Sequence, residues 1–184
     1  MVDLVKVVYQ NGYSVAIDGS MVDMIIYLRV ARLARVTPRV ELLLIRVQGW
    51  GSSTYRDYMN LVSASAKPNG TTTLSFTIQP EHCNQLGNLH GGCAATVFDI
   101  CTTTALVPIS KPEFWAFGGV SRTLNVTYLR PVAHGETVLI ESEVVHAGKR
   151  LCTIKGVMKR KRDGAIMVTC EHGKVNIDPE VSKL

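Results

Sequence analysis

No apolar stretch in this 184-residue sequence approaches the roughly 20 residues that a membrane-spanning helix needs. The longest uncharged apolar runs, such as Met24-Ile25-Ile26-Tyr27-Leu28, are short and followed by arginine. A membrane span is therefore not expected. Charge is also scarce, at 19% against 46% hydrophobic residues, and that balance excludes disorder over most of the chain. The five cysteines (Cys83, Cys93, Cys101, Cys152, Cys170) are odd in number and include no C-x-x-C pair. A disulfide framework is not expected, and a reducing compartment is the simpler reading. Cysteines and histidines show no zinc-ligand spacing, so no metal is expected. No secretory signal opens the chain, because Asp3, Lys6 and Gln10 interrupt its first apolar residues. The sequons at Asn69 and Asn125 are then accidents of composition.

What is present points to one domain or one domain plus an extension. Twenty Lys+Arg against fifteen Asp+Glu give a net charge of +5, a mild excess that fits an anionic partner but does not specify nucleic acid. Its distribution is more telling. From Lys149 to Arg162 there are seven basic residues (Lys149, Arg150, Lys155, Lys159, Arg160, Lys161, Arg162) and no acid. A solvated strand edge and a phosphate-binding surface both fit that run. An RNA-binding role fits poorly, since no aromatics are interleaved with it.

Residues 1–38 have weak pattern and mixed charge. Met24 to Val40 carries Arg29, Arg32, Arg35 and Arg39 among apolar residues, a spacing that suits a basic helical stripe. It also has the character of a mitochondrial presequence, although Asp3, Asp18 and Asp23 oppose that reading. An unstructured or wrongly assigned leader is the preferred reading. At the other end, Ser182-Lys183-Leu184 is the tripeptide read by the peroxisomal import receptor. Peroxisomal import is expected, with mitochondrion or cytoplasm as alternatives.

Between these ends the pattern is regular. Val40 to Trp50 suits a short helix ended by Gly51. Leu61 to Ala66 and Thr71 to Ile78 read as strands around the Pro68-Asn69-Gly70 turn. Gly91 to Leu106, free of proline and with Asp99 as its only charge, reads as a buried helix. Four strands follow: Gly118–Tyr128, Thr137–His146, Leu151–Lys161 and, after the Asp163-Gly164 turn, Ala165–Val175. An α+β fold, with one antiparallel sheet wrapped around a long central helix and a helical N-terminal extension, satisfies that order.

Chemistry is expected where the loop Glu81–Gly92 meets the central helix. The first amides of a helix lack internal partners and carry the positive end of its dipole. Gly91 and Gly92 let a ligand carbonyl approach them closely, so such an end stabilises an oxyanion. A plain tight turn is the bland alternative. Asp99 needs a partner or a role, because an unpaired buried carboxylate is costly. Nine residues separate it from His90, about 13.5 Å along a helix and roughly 180° around it. Two such helices running antiparallel across a two-fold axis would bring each Asp99 toward the other chain's Gly91.

The run Asn84-Gln85-Leu86-Gly87-Asn88-Leu89-His90-Gly91-Gly92, followed by Asp99, resembles the signature of hotdog-fold acyl-CoA thioesterases. The branch it is most similar to holds the phenylacetate-pathway enzymes and their small eukaryotic relatives. Gly119-Val120-Ser121-Arg122-Thr123-Leu124-Asn125-Val126-Thr127-Tyr128-Leu129-Arg130-Pro131 resembles that family's next hallmark. The resemblance spans about residues 61–178, within a domain drawn at 39–178, and leaves residues 1–38 and the tail 179–184 outside.

This resemblance implies hydrolysis of an acyl-CoA thioester without metal or organic cofactor. Asn84, His90 and the Gly91 amide would hold and polarise the carbonyl. Asp99 would activate water or attack directly, and Ser121 would position the water. Homodimers joined edge to edge, commonly paired into tetramers, would place the site between subunits. Arg150, Lys159, Arg160, Lys161 and Arg162 are the available cations for the CoA phosphates. Cys93 and Cys101 have no evident histidine base and read as inert thiols. An enoyl-CoA hydratase on the same fold and a non-catalytic acyl-CoA-binding protein are the alternatives.

Overall fold

The computed structural model describes residues 57–179 and, before them, two short strands. These strands, β1 (Val5–Val8) and β2 (Ser14–Ile17), pair antiparallel with Val5 opposite Ile17. They belong to a unit, Met1–Ala34, separate from Arg35–Leu184. The unstructured or wrongly assigned leader preferred from the sequence falls largely outside the described residues, which before residue 57 are these two strands alone. Both are rich in β-branched residues, and the sequence joining them contains Asn11-Gly12, a hairpin signal. The helices expected at residues 24–40 and 40–50 lie outside the described residues.

The larger unit follows the expected order. Strands β3 (Met59–Ser65) and β4 (Thr71–Thr77) come first, then helix α1 (Gly91–Thr104). Strands β5 (Val120–Tyr128), β6 (Thr137–Ala147), β7 (Leu151–Arg160) and β8 (Ile166–Val175) complete it. They form one antiparallel sheet in the order β3-β4-β6-β7-β8-β5.

Alternation decides which face meets the helix. Leu74 and Phe76 of β4, Val138 and Ile140 of β6, and Ile154 and Met158 of β7 are all fully buried. Against them α1 turns Ala94, Val97, Phe98 and Cys101, a stripe at i, i+3, i+4 and i+7. Helix and sheet come close at Gly156 of β7, where an added Cβ would stand 2.7 Å from the Phe98 ring. Only glycine fits there. Threonine weakens helix propensity because its hydroxyl competes for backbone groups. Here Thr102, Thr103 and Thr104 donate to the carbonyls of Phe98, Asp99 and Cys101, so the hydroxyls are satisfied within α1.

Strand β5 has a single neighbour, β8, and closes one end of the sheet. It is also the least covered strand: Val120, Ser121, Thr123, Asn125, Thr127 and Tyr128 are all exposed. Among the described residues no helix is long and apolar enough to cross a membrane.

Candidate active site

The loop before α1 is fixed by its own backbone. Leu89 and His90 donate to the carbonyls of Val132 and His82 at 2.8 Å each. Gly87, at φ +73°, adopts a conformation that favours glycine. Asn84 organises this loop: its Oδ1 accepts from the amides of Leu86 (2.9 Å) and Asn88 (3.3 Å). His90 is the N-cap of α1, and its Nδ1 accepts from the Gly92 amide at 3.0 Å. Nδ1 therefore carries no proton, and the neutral ring holds its hydrogen on Nε2. The Gly91 amide has no partner among the described residues, whereas the Gly91 carbonyl accepts from the Tyr128 hydroxyl at 2.7 Å. A free donor at the positive end of a helix dipole is the arrangement that an oxyanion needs.

Two and a quarter turns further along α1 sits Asp99. It is not the buried carboxylate that the apolar helix implies, since its side chain is 45% exposed. It lies on the flank of α1 that faces β8 and the open edge of β5, beside the apolar stripe. Partners are present within its own chain. Ser121 Oγ donates to Asp99 Oδ1 at 2.5 Å, and His172 Nε2 stands 3.3 Å from the same oxygen. Ser121 Oγ is also 3.0 Å from His172 Nε2.

His172 is the residue that the sequence reading missed. It is fully buried on the inner face of β8, and its Nδ1 lies 2.6 Å from Thr102 Oγ1. The Thr102 hydroxyl spends its hydrogen on the Phe98 carbonyl at 2.6 Å, so Thr102 accepts and His172 Nδ1 donates. Nε2 is then bare whenever the ring is neutral. Burial, helped by the nearby Lys174 ammonium and opposed by Asp99, holds the imidazole down at about 4, so it is neutral at pH 7. The single Ser121 proton thus faces two acceptors and goes to the closer, Asp99.

The cysteines offer no rival nucleophile. Burial pushes Cys93 up to about 11 and Cys101 higher still, leaving negligible thiolate near neutrality. The basic run is less free than its sequence implies. Lys159 pairs with Glu141 at 2.6 Å, Arg160 with Asp163 at 2.8 Å and Arg162 with Glu136 at 3.0 Å. Arg150 and Lys161 are exposed and have no ion pair among the described residues.

Comparison with known proteins identifies the family and the fold. A family model described as the thioesterase superfamily matches residues 86–167. Human acyl-coenzyme A thioesterase 13 is 32% identical over 116 residues, covering 63% of this chain and 78% of the human protein. The chain belongs to the thioesterase superfamily. Among solved structures, thioesterase superfamily member 2 from Mus musculus superposes with a TM-score of 0.66 at 26% identity, covering 78% of this chain and 98% of the mouse protein. The zebrafish thioesterase superfamily member 2 gives 0.64 at 25% identity, covering 74% and 92%. The hotdog arrangement expected for the family is therefore the one observed; Asn84 lies in the loop before its helix, His90 and Gly91 at the helix start, Asp99 mid-helix and Ser121 on the edge strand.

Proposed function

We infer that the protein hydrolyses an acyl-CoA thioester to a free acid and CoA, with Asp99 as the base that activates water. The observation that carries this reading is the pairing of Asp99 with Ser121 and a neutral His172 on one side, and the unpartnered Gly91 amide on the other. Water held at Asp99 attacks the thioester carbonyl carbon while Asp99 takes its proton. The carbonyl oxygen, now anionic, is received by the Gly91 amide. The carbon–sulfur bond then breaks, and the proton returns from Asp99 to the departing CoA sulfur. His172 Nε2, bare in the resting state, gives the Asp99–Ser121 pair an additional acceptor while that proton is held.

Gly91 and Asp99 lie on one continuous helix, about 12 Å apart along its axis, too far to act on one carbonyl. The working site is therefore composite: Asp99 and Ser121 of one chain face Gly91 of a second, joined through the exposed β5 edges. Further pairing into tetramers fits the family resemblance. Exposed Arg150 and Lys161 are the first candidates for the CoA phosphates, with Lys159, Arg160 and Arg162 available only by exchanging their acidic partners. Ser182-Lys183-Leu184, outside the described residues, supports delivery to the peroxisome by its import receptor; a cytosolic or mitochondrial protein with that tripeptide at a free C-terminus would refute it.

Complementation tests the composite site. Gly91→Pro removes the amide hydrogen, and proline is tolerated at the first helical position; the extended backbone of His90, at ψ 134°, suits a following proline. Asp99→Asn and Gly91→Pro are each expected to be inactive alone. A purified heterodimer of the two restores one intact site, roughly half the wild-type activity of a two-site dimer. A heterodimer as inactive as either parent overturns the shared site.

A further inference from the structure

Asp99, Thr102 and Thr103 stand at i, i+3 and i+4 on α1 and share the flank that faces β8. Two inward residues of β8 meet them. His172 reaches Thr102, and two positions further Lys174 Nζ donates to Thr103 Oγ1 at 2.9 Å. Thr103 in turn donates to the backbone carbonyl of Asp99 at 2.6 Å. Lys174 is therefore linked through one hydroxyl to the turn that carries the proposed base. It is also the register partner of Ser121 on β5.

Lys174 is only 3% exposed. Taking an ammonium out of water costs several kcal/mol, and a buried cation is normally matched by a carboxylate in direct contact. Here the hydrogen-bond partner is a neutral hydroxyl, and no described carboxylate lies within ion-pair distance. Packing alone would be served better by methionine, which has a similar volume and no charge. The titratable groups that face Lys174 are Asp99 from α1, His172 from β8 and Cys152 from β7, while Cys170 of β8 faces Asp99. From β5 the facing polar group is Ser121. The ammonium also sits at the last turn of α1, where the helix dipole favours a cation.

We propose that Lys174 is a positioning residue of the hydrolytic centre: its buried ammonium holds the Asp99 turn through Thr103 and sets the protonation of the Asp99–Ser121–His172 group. Burial pulls the lysine down from its ordinary value, and Asp99 is the chief influence holding it up. The same cation presses the His172 imidazole toward its neutral form. Lys174 thus keeps a proton off His172 at the pH where Asp99 must accept one from water.

The inference rests on the hydrolytic reading, and its test separates the two. Lys174→Met keeps the stem and removes the charge. The acid limb of its kcat/KM profile moves to higher pH by roughly one unit, and the His172 titration followed by NMR moves up with it. Thr103→Val keeps the charge, so it lowers kcat while leaving the acid limb in place. If Lys174→Met does not fold, a full-length variant that keeps Lys174 still decides: Asp99→Asn lowers the Lys174 titration midpoint relative to wild type. Unmoved acid limb and His172 titration in Lys174→Met, or an unmoved lysine midpoint in Asp99→Asn, overturn the proposal. Absence of CoA release from every acyl-CoA by wild type would refute the hydrolytic reading, while both NMR titrations would still report on Lys174.

Discussion

Ser121 Oγ lies 2.5 Å from Asp99 Oδ1 and 3.0 Å from His172 Nε2, so one hydroxyl on the edge strand joins the helix carboxylate to a buried imidazole. The arrangement places a polar cluster where β5, β8 and α1 meet, with Asp99 and Ser121 open to solvent and His172 enclosed behind them.

Ser121→Ala removes the only proton between Asp99 and His172. Hydrogen bonds to a charged group contribute about 1.5–3 kcal/mol, which corresponds to a loss in kcat of roughly 10- to 100-fold. The KM for acyl-CoA should stay near wild type, because Ser121 is proposed to position water rather than substrate. Steady-state kinetics read both numbers, and an unchanged kcat removes Ser121 from the mechanism.

His172 makes the fold sensitive to acid. Its folded-state value of about 4 lies below the ordinary 6.5 of histidine. Between those values the unfolded chain binds the proton and the folded chain does not, so stability falls as pH drops from about 6.5 to about 4. Above pH 6.5 this contribution is fully present. The loss is on the order of 3 kcal/mol, read as a lower urea midpoint at pH 4.5 than at pH 7. Replacing His172 by Gln should flatten that dependence.

Tyr128 anchors the helix start. Tyr128→Phe loses the hydrogen bond to the Gly91 carbonyl, and a neutral bond of this kind contributes about 0.5–1.5 kcal/mol. If that bond aligns the Gly91 amide, kcat should fall by roughly two- to tenfold with little change in melting temperature. An unaltered kcat would mean that α1 holds its first turn without help.

Neither Cys93 nor Cys101 should matter to the chemistry. Cys93→Ser is expected to retain wild-type kcat, and thiol alkylation at pH 7.5 should be slow, because Cys93 stays protonated well above that pH. Rapid inactivation by a thiol reagent that is lost in Cys93→Ser would restore cysteine as a candidate nucleophile.

Much of this site was legible in the residues because it breaks local rules. Asp99 is the one charge in an apolar helix, and His90-Gly91-Gly92 is a poor helical run placed at a helix start. His172 and Lys174 gave a weaker signal. With Cys170 they share the inward face of β8 at a period of two, so two polar side chains occupy core positions. That inconsistency shows only when the strand's phase is fixed by its neighbours. The ion pairs of the basic run were not legible because its counter-charges lie elsewhere in sequence: Glu136 and Glu141 are on or beside β6, and Asp163 is in the following turn. At the N-terminus the Asn11-Gly12 hairpin signal stood within a segment whose mixed charge hid the valine-rich strands.

The most direct test of the account measures free CoA released from a panel of acyl-CoAs by wild type and by Asp99→Asn, which keeps the shape of the side chain and removes its basicity. The account predicts that wild type releases CoA from at least one acyl-CoA, and that the variant, folded and of unchanged oligomeric state, loses about 10²- to 10⁴-fold in kcat. Hydrolysis by Asp99→Asn at the wild-type rate would contradict it.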